Sequence, residues 1–287
     1  MPELPLSAPG RCAAALLAAL LLSGAPDGTR GRDAPGPART LRPELRAALD
    51  AYKAYVVAQA DAFVRETARL TAAIRAGRLA EARALYAPAR VPYERIEPVA
   101  ALFPDLVKRM DVRADEFELR ERDPAFVGFH RLEQALFAEG TVEGVGEVAE
   151  RLAADTAALR ARIAALALPP AKAVGAAAAL IEGIAATKIS GEEERYSRTD
   201  LWDFQANIEG SKAVFALLRP HLADAEFVAR VERSYKRIED LLARYRLPGG
   251  GFQGYDSLSP RDRNALKGPI ALLAEDLSTL RGRLGLD

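Results

Sequence analysis

Residues 44–76, ELRAALDAYKAYVVAQADAFVRETARLTAAIRA, decide the fold class. Leu45, Leu49, Tyr52, Val56, Phe63, Leu70 and Ile74 recur at steps of three, four and seven, which is one apolar stripe on a helix of 3.6 residues per turn. The stripe stops at Gly77, a residue suited to the chain reversal after a helix. Working outward, the same periodicity predicts helices at about Arg78–Ala87, Val91–Phe103, Asp123–Phe137, Val142–Ala167, Ala171–Ile189, Asp200–Leu218, Ala223–Tyr245 and Pro260–Leu284. No segment keeps a period of two. The composition agrees, being crowded with Ala, Leu, Arg and Glu, sparse in β-branched residues and only 7% aromatic. The reading is all-α. Leu168-Pro169-Pro170 interrupts the pattern with a helical group on each side, which predicts two packed helical bundles with halves of about 43–168 and 169–287.

Before the helices, Arg11 precedes an apolar run from Ala13 to Leu22 that closes on Ser23-Gly24-Ala25. A run of about ten residues is short for a bilayer span and has the shape of a signal peptide, here 1–25. Residues 26–42 begin PDGTRGRDAPGPAR, rich in Pro, Gly and charge, and read as a disordered linker. Export to the periplasm or cell surface is therefore expected. Cys12 is the single cysteine and lies inside the leader, so a cleaved chain would have neither disulfides nor thiolate ligands. Lys plus Arg and Asp plus Glu are both 40 in a chain of 287 residues, and this zero net charge argues against a general nucleic-acid binder.

The chemistry concentrates in three stretches. His130, one of two histidines, and Glu133 lie three residues apart and share a helical face, so both can approach one cation. Imidazole with carboxylate suits iron, zinc, copper or manganese better than calcium. The competing reading is a histidine bonded within a helix interface and a glutamate paired with Arg131 or another arginine. Upstream, Glu94 and Glu97 share a face and Asp111 follows, so carboxylates are available to complete a shell. Downstream, residues 190–203 gather acid, hydroxyl and aromatic groups. In one reading Thr199 or Asp200 caps the next helix and Trp202 anchors the core. In the other, Glu192, Glu193, Asp200 and Asp203 line a cleft opposite the His130 helix. His221 reads as a surface or capping residue. Arg65, Arg69, Arg75, Arg78, Arg83 and Arg90 read as a solvated basic face.

Three strings, ARVPYERIEPVAALFPDL at 89–106, GFHRLEQALF at 128–137 and TKISGEEERYSRTDLWDFQANIEGSK at 187–212, together resemble the imelysin-like, EfeO/EfeM family of periplasmic iron-uptake components. The resemblance implies one imelysin-like helical domain over 43–287. It also implies a His-x-x-Glu metal motif at His130 and Glu133, and acidic ligands placed here at Glu97 and Asp111, with Glu94 a further candidate. Tyr196, Arg198, Asp200 and Asp203 are expected to face a ligand. Relatives often carry histidine where Arg198 stands, so Arg198 weakens a second metal site and adds positive charge. Longer members also carry an N-terminal cupredoxin domain, and no such β-rich segment is recognised before residue 43.

The leading expectation is a binding protein that captures a transition metal, iron foremost with zinc or copper as alternatives, for a membrane uptake component. A second expectation is a binding protein for an acidic polysaccharide such as alginate, held by arginines and by exposed Tyr93, Tyr196 and Tyr255. A metallopeptidase is disfavoured, because the chain has no His-Glu-x-x-His arrangement to supply two imidazoles and a general base. No residue is assigned a catalytic role.

Overall fold

Helix α1, Pro43–Arg75, buries the stripe read from its sequence: Leu45, Leu49, Tyr52, Val56, Phe63, Leu70 and Ile74 are all removed from solvent. The structure, a computed structural model, describes residues 41–286, so the expected signal peptide and all but the end of the expected linker lie outside the described residues. The remaining helices are α2 (Leu79–Glu94), α3 (Glu97–Ala100), α4 (Pro104–Met110), α5 (Gly128–Glu133), α6 (Gly146–Ala165), α7 (Pro170–Gly183), α8 (Asp200–Leu218), α9 (Ala225–Ala243), α10 (Pro260–Ser278) and α11 (Leu280–Leu284). Among the described residues there is no strand, and one isolated antiparallel bridge joins Arg246 to Phe252.

Helix α1 packs against α2, α6 and α8, while α7 packs against α8 and α10, and α10 against α9. Contacts of α2 with α8 and of α3 with α7 stitch the two helical groups together. One continuous apolar core therefore contains residues from both sides of Pro169-Pro170, from Leu45 to Leu284. No described helix is long and apolar enough to cross a membrane.

Two departures from the sequence reading matter for the site. The sequence reading places separate helices at about Arg78–Ala87 and Val91–Phe103, yet α2 runs through both Pro88 and Pro92. The face carrying Tyr86, Ala89, Arg90, Tyr93 and Glu94 is buried, and that tertiary packing outweighs the missing amide donors. The helix expected from Asp123 starts at Gly128 instead, because the Asp123 side chain accepts a bond from the Ala125 amide in a local turn and Val127 is extended. Gly128 takes φ +75° with its Cα against the Arg109 and Met110 carbonyls, where any Cβ would collide. That close approach brings the first turn of α5, and so His130, against the end of α4.

Candidate metal centre

Helix α5 carries His130 and Glu133, and a π-helical turn, Gln134–Glu139, follows directly on Glu133. Such turns are frequent at functional positions. Both side chains are buried, with His130 Nδ1 3.2 Å from Glu133 Oε2. His130 Nε2 faces Asp111 Oδ1 at 3.3 Å, and Nδ1 lies 3.9 Å from Glu194 Oε1. Ligand-type atoms of His130, Glu133 and Glu194 all fall within 4.8 Å of one another. A small pocket is lined by two of the trio, His130 and Glu133, together with Arg113, Glu193, Arg195 and Tyr196, and has about 10 Å³ of free space, enough for one water-sized or ion-sized particle.

Helix α2 supplies the charge that holds these acids together. Arg90 is fully buried and its guanidinium meets Glu94 at 2.6 Å, Asp111 at 2.8 Å, Asp203 at 3.4 Å and Glu193 at 3.8 Å. Its Nε also approaches Glu194 Oε1 at 2.8 Å, but off the hydrogen-bonding axis. Arg90 Nε and Glu194 Oε1 are consequently buried atoms without a hydrogen-bond partner, and so, separately, is His130 Nε2. Buried polar atoms are rarely left so. Phe129 covers the guanidinium with its ring 5.3 Å away.

Lys188 ends a second π-helical turn, Ile184–Lys188, which continues α7. Its ammonium pairs with Glu94, with Glu97 at 3.2 Å and with Glu193 at 3.4 Å. Glu94, Glu193 and Asp203 form a second buried acidic trio, which Lys188 and Arg90 face directly.

Residues 189–199 owe their path to the glycine-rich loop before α10. Tyr255 lays its ring on Gly191, which has φ +77° and no room for a side chain. Its hydroxyl donates to the Ile189 carbonyl at 2.5 Å, and its amide to the Arg198 carbonyl at 2.8 Å. The turn so formed aims the Tyr196 amide, the Ser197 amide and the Ser197 hydroxyl at Glu133 Oε1, at 2.8, 2.8 and 2.9 Å.

Charge states follow from these contacts. Burial works to lower His130, but the Asp111 and Glu133 carboxylates beside its ring outweigh it and hold the imidazole well above its ordinary range. Burial works to raise Asp111, but the Arg90 guanidinium and His130 keep it well below the usual carboxylate range. Burial pushes Glu194 up to about 8, with Arg90 opposing, and Asp200 up to about 6, against the bond it accepts from the Glu194 amide. Asp203 is also driven upward, by burial against the pull of Arg90.

The residues expected to face a ligand are dispersed. Asp111 joins the His130 cluster, whereas Glu94 and Glu97 lie on the Lys188 side. Asp200 and Asp203 are buried in the network, but Arg198 is exposed and reaches only the Gly191 carbonyl, at 3.3 Å. Tyr196 reaches Glu121 through its hydroxyl, at 2.9 Å. Tyr93 and Tyr255, expected to be exposed, are buried, and Tyr93 donates to Asp111 Oδ2 at 3.0 Å. Arg90, expected on a solvated face, is the centre of the network. Glu192 is exposed, pairs with Arg195 and, with Glu193, lines the small pocket. Thr199 precedes α8 without capping it, its hydroxyl being engaged by Ser197, and Trp202 is half-buried against Phe252. Sequence reasoning missed Glu194 and Lys188. The acidic run 192–194 was the visible signal for the first, but only the folded turn selects which of its members points inward.

The family model for Imelysin (Peptidase_M75) matches residues 48–280. The chain belongs to the imelysin family. Among curated imelysin-type relatives, the iron uptake system component EfeO of Escherichia coli (strain K12) is 55% identical over 245 residues, covering 85% of this chain and 65% of that protein. EfeO of Shigella flexneri matches with the same identity and coverage. EfeO of Escherichia coli O1:K1 is 54% identical over the same extent. The chain thus spans just under two thirds of the length of the curated relatives it matches.

Proposed function

We propose that this imelysin-family chain captures a transition-metal ion, iron above zinc or copper, outside the cytoplasm and delivers it to a membrane uptake component. His130, Glu133 and Glu194 are the ligands in this reading, with Asp111 beside them. The observation that carries it is the convergence of one imidazole and two carboxylates within 4.8 Å, fully buried yet with His130 Nε2 and Glu194 Oε1 lacking hydrogen-bond partners. Nitrogen plus oxygen ligands around so small a space suit a compact transition-metal cation rather than calcium. The name borne by the similar proteins, iron uptake system component, supports iron as the cargo. Export rests on the leader read at 1–25.

A polysaccharide reading loses two of its three tyrosines, since Tyr93 and Tyr255 are buried and cannot stack on a sugar, while Tyr196 is half-buried. A peptidase reading has only one imidazole at the centre, and binding without chemistry is what the arrangement supports. Metal content of protein purified without chelator tests the proposal, alongside the Glu133→Gln variant. The parent should carry close to one transition-metal equivalent per chain and the variant far less. Equal metal in both would refute the assignment.

A further inference from the structure

One oxygen of each glutamate of the centre lies within hydrogen-bonding reach of the same hydroxyl. Ser197 Oγ lies 2.9 Å from Glu133 Oε1 and 3.1 Å from Glu194 Oε2. It also lies 2.8 Å from Thr199 Oγ1, which reaches Glu194 Oε2 in turn, at 3.3 Å. Glu133 Oε1 receives two backbone amides besides, so its capacity is filled. What remains is one oxygen per carboxylate, Glu133 Oε2 and Glu194 Oε1, and these are the oxygens that approach His130 Nδ1.

We infer that Ser197 is a specificity-determining positioning residue, which restricts Glu133 and Glu194 to one-oxygen coordination and so selects small transition-metal ions against calcium. The inference rests on the reading of His130, Glu133 and Glu194 as ligands. Its physical basis is coordination number: calcium takes six to eight oxygens and commonly uses both oxygens of a carboxylate, whereas zinc is satisfied by about four ligands. The hydroxyl has one proton: with it on Glu194 Oε2, the Tyr196 and Ser197 amides still hold Glu133 Oε1, and the two-oxygen mode is removed from both carboxylates. Together these donors also fix the carboxylate planes, and loss of such an outer partner typically costs about ten- to a hundredfold in metal affinity.

The test is calorimetric titration of the full chain with Zn²⁺ and with Ca²⁺, for the parent, Ser197→Ala, Ser197→Thr and His130→Ala. Ser197→Ala should lose about tenfold in Zn²⁺ affinity, because two amides still hold Glu133, while Ca²⁺ affinity stays level or rises. The Zn²⁺ to Ca²⁺ preference should therefore fall by at least that factor. Ser197→Thr, which keeps the hydroxyl, should restore it, and thermal melts establish that each variant is folded. A general loosening of the turn would lower both affinities together and leave the ratio unchanged, which would overturn the inference. If the parent and His130→Ala bind Zn²⁺ alike, the ligand assignment itself fails and the inference falls with it. A preserved His130 effect with an unchanged Ser197→Ala ratio would sink the inference alone.

Discussion

Two buried acidic trios share Arg90, and they differ in what neutralises them. Around Glu94, Glu193 and Asp203 the protein supplies its own cations, Lys188 and Arg90. Around His130, Glu133 and Glu194 the guanidinium arrives off-axis and leaves atoms on both sides unsatisfied. Carboxylates removed from water are tolerable only when paired. The first trio carries its counter-charges within the fold, although Asp203 Oδ1 has no hydrogen-bond partner, and in the proposed function the second takes a cation from outside. The lesson is that acidic residues alone do not mark a metal centre; what distinguishes one trio from the other is where the counter-charge comes from.

The largest expected effect breaks the shared element. Arg90→Met leaves five carboxylates without their common partner, and removal of one member of a buried ion pair costs about 3–5 kcal/mol. Chemical denaturation should show a loss at or above that range, and a variant as stable as the parent would contradict the central role given to Arg90. Lys188→Met attacks only the self-neutralised trio. Its loss should fall toward the lower end, about 3 kcal/mol, while the His130 cluster keeps its metal affinity. A Lys188 variant that lost metal as severely as a His130 variant would erase the distinction between the two trios.

Acidity sharpens the comparison further. In the metal-free centre His130 holds its proton above the ordinary histidine range, so an incoming ion must displace that proton. Affinity should then keep rising with pH beyond about 6.5 rather than levelling there. Calorimetry in buffers of different ionisation enthalpy should register proton release on binding. Affinity that is flat across neutral pH would show that His130 is not a competing proton site. The smallest effect belongs to Glu97, whose side chain is 34% exposed and touches Lys188 rather than His130. Glu97→Ala should shift metal affinity less than Glu133→Gln, and a reversed order in the same titration would move the centre toward α3.

Much of this architecture was legible because it is local. The stripe from Leu45 to Ile74 and the pairing of His130 with Glu133 depend only on helical periodicity, and both survive in the folded chain. Arg90 was misplaced because it continues a regular series of arginines, and Pro88 and Pro92 disguise the helix that presents it and Glu94 on one buried face. Glu194 showed only as one member of the acidic run 192–194, and Ser197 carried no signal of its own. Their direction is set by a turn that Tyr255 clamps from a distant loop, and nothing in residues 190–199 alone specifies it. The same clamp buries Tyr255, whereas Tyr93 is buried on α2 against Phe63.

The most direct measurement sets the two histidines against each other. His130 stands at the unsatisfied trio, whereas His221 is half-buried in a single turn after α8, outside that network. Titration of Fe²⁺ or Zn²⁺ into His130→Ala should show a loss of more than about a hundredfold, beyond what an outer partner contributes. His221→Ala should bind like the parent, with both variants equally helical by circular dichroism. If His130→Ala binds either ion as tightly as His221→Ala does, the His130 cluster is not where this protein holds its metal.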